Sequence, residues 1–208
     1  DSAPLDILRQ AGLEPQINPL GRKLKAEEAV QQISGCIGVL AGTEPLDRSV
    51  LERLPELKIL SRVGVGMDNV DQDAAKELGI IVKNTPFGPT RAVAEITLAV
   101  VLDLLRQVSA MDRELRSGTW KKRMGRLILG KKVGIIGLGR IGQATAEVLE
   151  SVGAEIGYFD PVAEHDTYKR MDLPALLAWC DILSLHASGG GDKALIGAEE
   201  LALMHEDA

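Results

Sequence analysis

An α/β fold built on parallel sheets is the class this sequence predicts, and three observations predict it. Apolar runs of strand length alternate with amphipathic segments of helix length, the pattern of βα units. The run Val133-Gly134-Ile135-Ile136 leads directly into Gly137-Leu138-Gly139-Arg140-Ile141-Gly142, which opens a helical segment. Beyond it the alternation continues as βαβαβ, one mononucleotide-binding half. The 208 residues, 45% of them hydrophobic, suffice for one large domain or two modest ones with a genuine core.

Taken in order, residues 2–12 read as a helix, 36–41 as a strand, and 47–54 as a helix stopped near Pro55. Residues 57–63 form the next strand. Residues 71–78 then read as a helix capped by Gly79, and 80–84 as a strand ended by the Thr85-Pro86-Phe87-Gly88-Pro89 turn. A long helix is predicted from Thr90 to about Arg116, because 92–108 is rich in good helix formers and Ser117-Gly118 ends it. Its apolar residues nearly encircle it, so it needs cover on more than one side. An interdomain spacer or a homodimer through helix 90–116 would provide that cover, and the dimer is the expectation. The polar stretch holding Lys121, Lys122, Arg123, Arg126, Lys131 and Lys132 reads as a solvated loop. The second part has clearer punctuation: strand 133–136, helix 140–151, strand 155–159, helix 173–179 and strand 181–185. The organisation expected is a first domain over 1–90 and a second over 91–208.

A formal net charge of −6 argues against a nucleic-acid surface, whose footprint is basic. Cys36 and Cys180 lie among apolar residues without metal-ligand or redox spacing, so no metal site is expected and free thiols in a reducing compartment, the cytoplasm, are. No apolar run reaches bilayer length, and the first residues lack the pattern of a signal peptide. Both ends read as cut.

The G-x-G-x-x-G spacing by itself is a weak signal; its context strengthens it. It follows a strand, opens a helix, and is succeeded at the end of the next strand by Asp160, eighteen residues past Gly142. Gly137 permits the turn out of the strand, Gly139 has no Cβ to obstruct a pyrophosphate, and Gly142 allows close helix–strand packing. Phosphates would sit at the helix N-terminus, where backbone N–H groups and the helix dipole favour anions. Asp160 would accept hydrogen bonds from ribose hydroxyls and repel a 2′-phosphate, so NAD is expected in preference to NADP.

Several motifs together carry a family resemblance: Gly64-Val65-Gly66-Met67-Asp68-Asn69-Val70-Asp71, Asn84-Thr85-Pro86, Arg91-Ala92-Val93-Ala94-Glu95, residues 130–142, and Asp181-Ile182-Leu183-Ser184-Leu185-His186. In this order and at these separations they resemble the NAD-dependent D-2-hydroxyacid dehydrogenases, most of all the phosphoglycerate dehydrogenase branch, whose place is in serine biosynthesis. The resemblance implies a Rossmann-type doubly wound NAD domain and a smaller flavodoxin-like substrate domain completed by a returning C-terminal segment, both incomplete in this chain. The implied activity is oxidation or reduction of a 2-hydroxy or 2-keto acid in a cleft between the two. By analogy Gly64, Val65 and Gly66 present backbone N–H groups to the substrate carboxylate, with Val65 also touching the nicotinamide end of NAD, and Arg62 binds the anionic groups of the substrate. Arg140 and Ile141 would contact the pyrophosphate, and His186 and Ala187 would lie beside the adenosine half.

The family's acid–base chemistry uses an arginine, a glutamate and a histidine that the resemblance places beyond the last residue here. His165, His186 and His205 do not match the catalytic histidine, so no catalytic residue is expected in this chain, and the chain alone is expected to bind NAD without turnover. Three departures from the family pattern stand out. Ala41 replaces an arginine frequent in phosphoglycerate enzymes, Pro89 replaces an asparagine near the substrate, and Ser188 with Gly189-Gly190-Gly191 replaces a proline-containing loop. A catalytically weak, corepressor-like NAD-binding protein is the alternative reading of the same motifs.

Overall fold

The computed structural model describes residues 3–187 and 194–208. The expectations for Ser2, Ser188 and Gly189-Gly190-Gly191 lie outside the described residues. The chain divides into two compact units, Asp1–Thr85 and Pro86–Ala208.

The first unit runs α1 (Ala3–Gln10), α2 (Ala26–Ile33), β1 (Gly38–Ala41), α3 (Arg48–Leu51), β2 (Ile59–Arg62), α4 (Gln72–Glu77) and β3 (Ile81–Asn84). Its strands pair in parallel in the order β1-β2-β3. Local signals start the helices: the Asp47 carboxylate accepts from the Val50 N–H at 3.2 Å, and Asp71 does the same for Ala74 at 2.8 Å. The core gathers Ala29, Ile33, Leu46, Val50, Leu51, Leu60 and Ala74. The register sets Gly38 beside Ile59 and Ile59 beside Ile81, so alternate residues share a face. On the face opposite the buried Ala41 and Leu60, the side chains of Leu40, Ile59 and Ile81 are 55%, 48% and 56% exposed.

Helix α2 was not among the predicted elements. It is started by Glu28, whose carboxylate accepts from the Lys25 N–H at 2.8 Å, and it buries Ala29, Val30 and Ile33. Lysine in place of the usual capping serine or threonine hides this start from a search for standard caps.

The second unit runs α5 (Thr90–Arg106), α6 (Val108–Arg116), β4 (Lys132–Ile136), α7 (Arg140–Ser151), β5 (Glu155–Phe159), β6 (Lys169–Arg170), α8 (Leu173–Trp179), β7 (Ile182–Leu185) and α9 (Ala198–Leu201). All its strand pairs are parallel, in the order β6-β5-β4-β7. The order reverses at β4, the switch point at which ligands bind in doubly wound sheets. Helices cover both faces. Ile135 meets α7 at Gly142, while Gly134, one residue earlier and so on the opposite face, lies against Leu176 and Cys180 of the α8 region. Gly157, the register partner of Gly134, faces the Trp179 ring, so two adjacent glycines make room for α8 and its end.

The single long helix expected over 90–116 is corrected to two helices. Gln107 breaks it at φ 55°, ψ 36°, in the left-handed region. Side chains stabilise the break: the Asp103 carboxylate accepts from both the Ser109 N–H and its hydroxyl, at 2.7 and 2.6 Å, and Arg123 donates to the Gln107 amide oxygen at 3.0 Å. Helix α5 packs against α7 and buries Ala94 and Val101; Ile96, Val100 and Leu104 remain exposed. Among the described residues no helix is long and apolar enough to cross a membrane, and no group of side chains is arranged to hold a metal ion.

Candidate functional site

The expected cofactor residues of the second unit converge at the C-terminal ends of β4, β5 and β7. Gly137 leaves β4 at φ 88°, and its N–H donates to the Phe159 carbonyl at 2.9 Å. A Cβ on Gly137 would lie 2.7 Å from the Ala187 Cα, so the backbone after β7 packs directly on the turn. A Cβ on Gly142 would collide with the Gly137 carbonyl oxygen. Both glycines are required by close packing within the chain. Gly139 differs: a Cβ there would meet nothing within 4 Å. Gly139 is the N-cap of α7 and supplies no side-chain cap to the first-turn N–H groups. The open space beside it and the uncapped helix start fit a pyrophosphate.

Asp160 closes the loop from the β5 side. Its Oδ2 accepts from the Leu138 N–H at 2.7 Å, and its Oδ1 accepts from Val162 and Ala163 at 2.8 and 2.7 Å. Burial works against the charge, but the N–H groups of Ala163, Val162 and Leu138 outweigh it, and Arg170 adds to them. The carboxyl is therefore held below the usual carboxylate range. Arg170 also donates to the backbone oxygens of Asp160 and Pro161, at 2.9 and 3.1 Å. His186 donates its N–H to the Ile136 carbonyl at 2.7 Å, and its Nε2 lies 2.8 Å from the Ser184 hydroxyl; burial pushes its pKa down. Ile141 is part-buried in the first turn of α7, and Arg140 is exposed beside Gly139.

The expected substrate residues lie in the first unit, at the ends of β2 and β3. Gly64 sits at φ 144°, where glycine is favoured. Its N–H is not available to a ligand as expected, because the Thr85 hydroxyl accepts it at 2.7 Å, while the Gly64 carbonyl accepts from the Thr85 N–H at 3.1 Å. Asn84 donates to the Val65 carbonyl at 2.9 Å. Asn84 and Thr85 are thus anchors of the loop that sequence reasoning noticed as a motif without giving them a role. Arg62 turns back over this loop: its Nη1 donates to the Val63 carbonyl, and its guanidinium occupies the side of Gly64 where a Cβ would stand. The Arg62 Nε is buried and has no hydrogen-bond partner among the described residues.

Residues 98–208 match the family described as D-isomer specific 2-hydroxyacid dehydrogenase, NAD binding domain. The chain belongs to that family. Among curated members, D-3-phosphoglycerate dehydrogenase of Mycobacterium tuberculosis is 41% identical over 165 residues, covering 76% of this chain and 31% of that protein. Glyoxylate reductase of Thermococcus litoralis is 34% identical over 210 residues, covering 94% and 62%. The chain therefore spans about a third of the first relative and less than two thirds of the second. Among solved structures of similar fold, a protein of Thermus thermophilus superposes with TM-score 0.88 at 33% identity, over 96% of this chain and 66% of that one. A 3-phosphoglycerate dehydrogenase of Entamoeba histolytica, crystallised with NAD+, gives TM-score 0.80 at 27% identity, over 96% and 62%. The 2-hydroxyacid dehydrogenase match begins at residue 98, inside α5, and contains the whole glycine loop with Asp160, His186 and Ala187.

Proposed function

We propose that this chain is the NAD-binding and carboxylate-binding part of a D-2-hydroxyacid dehydrogenase. The observation that carries the reading is the asymmetry of the three loop glycines: Gly137 and Gly142 are filled by the chain's own backbone, whereas Gly139 faces open space at the uncapped start of α7. Phosphate oxygens would take the N–H groups of the first turn, with Arg140 and Ile141 beside them. Asp160 keeps lone-pair capacity on Oδ2 beyond its bond to Leu138, which suits a ribose hydroxyl, and its charge disfavours a 2′-phosphate. When bound, NAD supplies the hydride acceptor for the C2 carbon of a 2-hydroxy acid.

For the substrate, the N–H groups of Val65 and Gly66 are the donors left on the loop once Gly64 is tied to Thr85, and the Arg62 guanidinium would add a fork suited to a carboxylate on turning away from the Val63 carbonyl. Val65 would also border the nicotinamide. The relatives named D-3-phosphoglycerate dehydrogenase favour a phosphoglycerate-like substrate and a role in serine biosynthesis, and Ala41 in place of an arginine weakens the case for the phosphorylated acid. The acid–base step is assigned to none of the 208 residues; a segment packed on the exposed Leu40, Ile59 and Ile81 face would complete the substrate domain and bring those groups.

The exposed Ile96, Val100 and Leu104 recur every four residues on α5, one stripe that a second copy of the chain would cover in a homodimer. The unpaired cysteines Cys36 and Cys180 support a reducing compartment, the cytoplasm. Titration with NADH and NADPH, followed by nicotinamide fluorescence, tests the core of the proposal. NADH should saturate and NADPH should bind at least roughly tenfold more weakly, the cost of about 1.4 kcal/mol for a repelled phosphate. Equal affinities, or no binding of either, refute it.

A further inference from the structure

Phe87 is an aromatic ring without a core. It is 73% exposed on the turn before α5, and the one ring contact it makes among the described residues is with Arg140, whose guanidinium carbon lies 4.8 Å from the ring centroid. That distance is within the range of a cation–π stack. Arg140 is the first residue of α7, directly after Gly139, and it belongs to no ion pair among the described residues. A long exposed arginine at such a position samples many rotamers, and ordering it costs free energy when a ligand binds. The planar guanidinium keeps its N–H edge free while its face rests on a ring, so the stack does not consume the donors a phosphate needs.

We infer that Phe87 is a positioning residue for the cofactor: its ring holds the Arg140 guanidinium beside the phosphate cradle and so raises affinity for dinucleotides. The inference rests on the dinucleotide reading above and adds to it a residue outside the glycine motif. Phe87 acts only through Arg140, so its influence is confined to ligands that carry the pyrophosphate.

The test uses the whole chain with Phe87→Ala, Phe87→Leu, Phe87→Tyr, Arg140→Ala and the Phe87→Ala/Arg140→Ala pair. NADH is the probe, and ADP-ribose and adenosine are competitors. Phe87→Ala and Phe87→Leu should each weaken NADH and ADP-ribose roughly two- to fivefold, the range of an exposed cation–π contact. Adenosine should be unaffected, and Phe87→Tyr should restore wild-type binding. In the Arg140→Ala background, Phe87→Ala should change nothing further, because the two side chains act as one unit. A readout without cofactor is the Arg140 Nε–H resonance, identified by its loss in Arg140→Ala, which should move when the Phe87 ring is removed. Unchanged NADH affinity in Phe87→Ala, an equal loss in both backgrounds, or an unmoved Arg140 resonance overturns the proposal alone. Failure of the wild-type chain to bind NADH overturns the dinucleotide reading and this proposal with it.

Discussion

Asp160 accepts the Leu138 N–H at 2.7 Å, so the acidic residue expected to meet a ribose also ties the end of β5 to the glycine loop after β4. On the proposed reading one carboxylate would serve fold and ligand together. Asp160→Ala should lower stability by about 2 kcal/mol, since it strands the part-buried N–H groups of Leu138 and Ala163 and removes the acceptor of the exposed Val162 N–H. It should also weaken NADH by roughly tenfold or more and narrow the preference over NADPH. Denaturant unfolding and cofactor titration of the same preparation check both; a variant as stable as wild type would mean the three N–H groups find other acceptors.

Gly139→Ala and Gly142→Ala separate space kept for a ligand from space filled by the chain. A methyl on Gly139 meets nothing, and the backbone there, at φ −70° and ψ −169°, is open to any residue, so thermal stability should be unchanged while NADH binding is lost. A methyl on Gly142 strikes the Gly137 carbonyl and should cost about 2 kcal/mol or more. If both variants lost stability equally, the open side of Gly139 would have no ligand-binding meaning.

Thr85→Val removes the acceptor of the Gly64 N–H with little change of shape. An expected loss of about 1 kcal/mol follows from leaving that donor without its partner, and Thr85→Ser should recover most of it. Urea unfolding of the two variants side by side decides whether the hydroxyl anchors the loop.

His186 should make the chain acid-sensitive. Burial depresses its folded-state pKa below the ordinary 6.5, so the unfolded chain binds the proton more readily. This contribution to stability is complete above about pH 6.5 and is lost as the pH falls through the lower folded pKa. His186→Gln should flatten the melting-temperature profile in that window; a profile identical to wild type would assign the acid sensitivity elsewhere.

Leu104→Glu places a charge at the 72% exposed end of the α5 stripe. If a second copy covers that stripe, sedimentation should show the variant as a monomer of 22.3 kDa and the wild type at twice that mass. The same sedimentation profile for both would remove α5 from the interface.

The sequence by itself determined those parts of the protein whose causes lie within a few residues. Helix α7, strand β5 and helix α8 have the bounds that their own apolar period and flanking residues predict, and Asp47, Asp71 and Asp172 each cap the helix that follows by accepting the N–H three residues ahead. The glycine loop was legible because a turn, a close approach and an open approach to a helix start each need glycine. Tertiary structure decided what depends on partners distant in the chain. Arg123, sixteen residues on, helps hold the break at Gln107, and Thr85, twenty-one residues beyond Gly64, takes a donor that looked free for substrate. Phe87 reaches Arg140 across the unit. Hydrophobic period and caps specify which segments are helix or strand, but a hydrogen bond or ring stack between distant segments exists only once the sheet has set their separation.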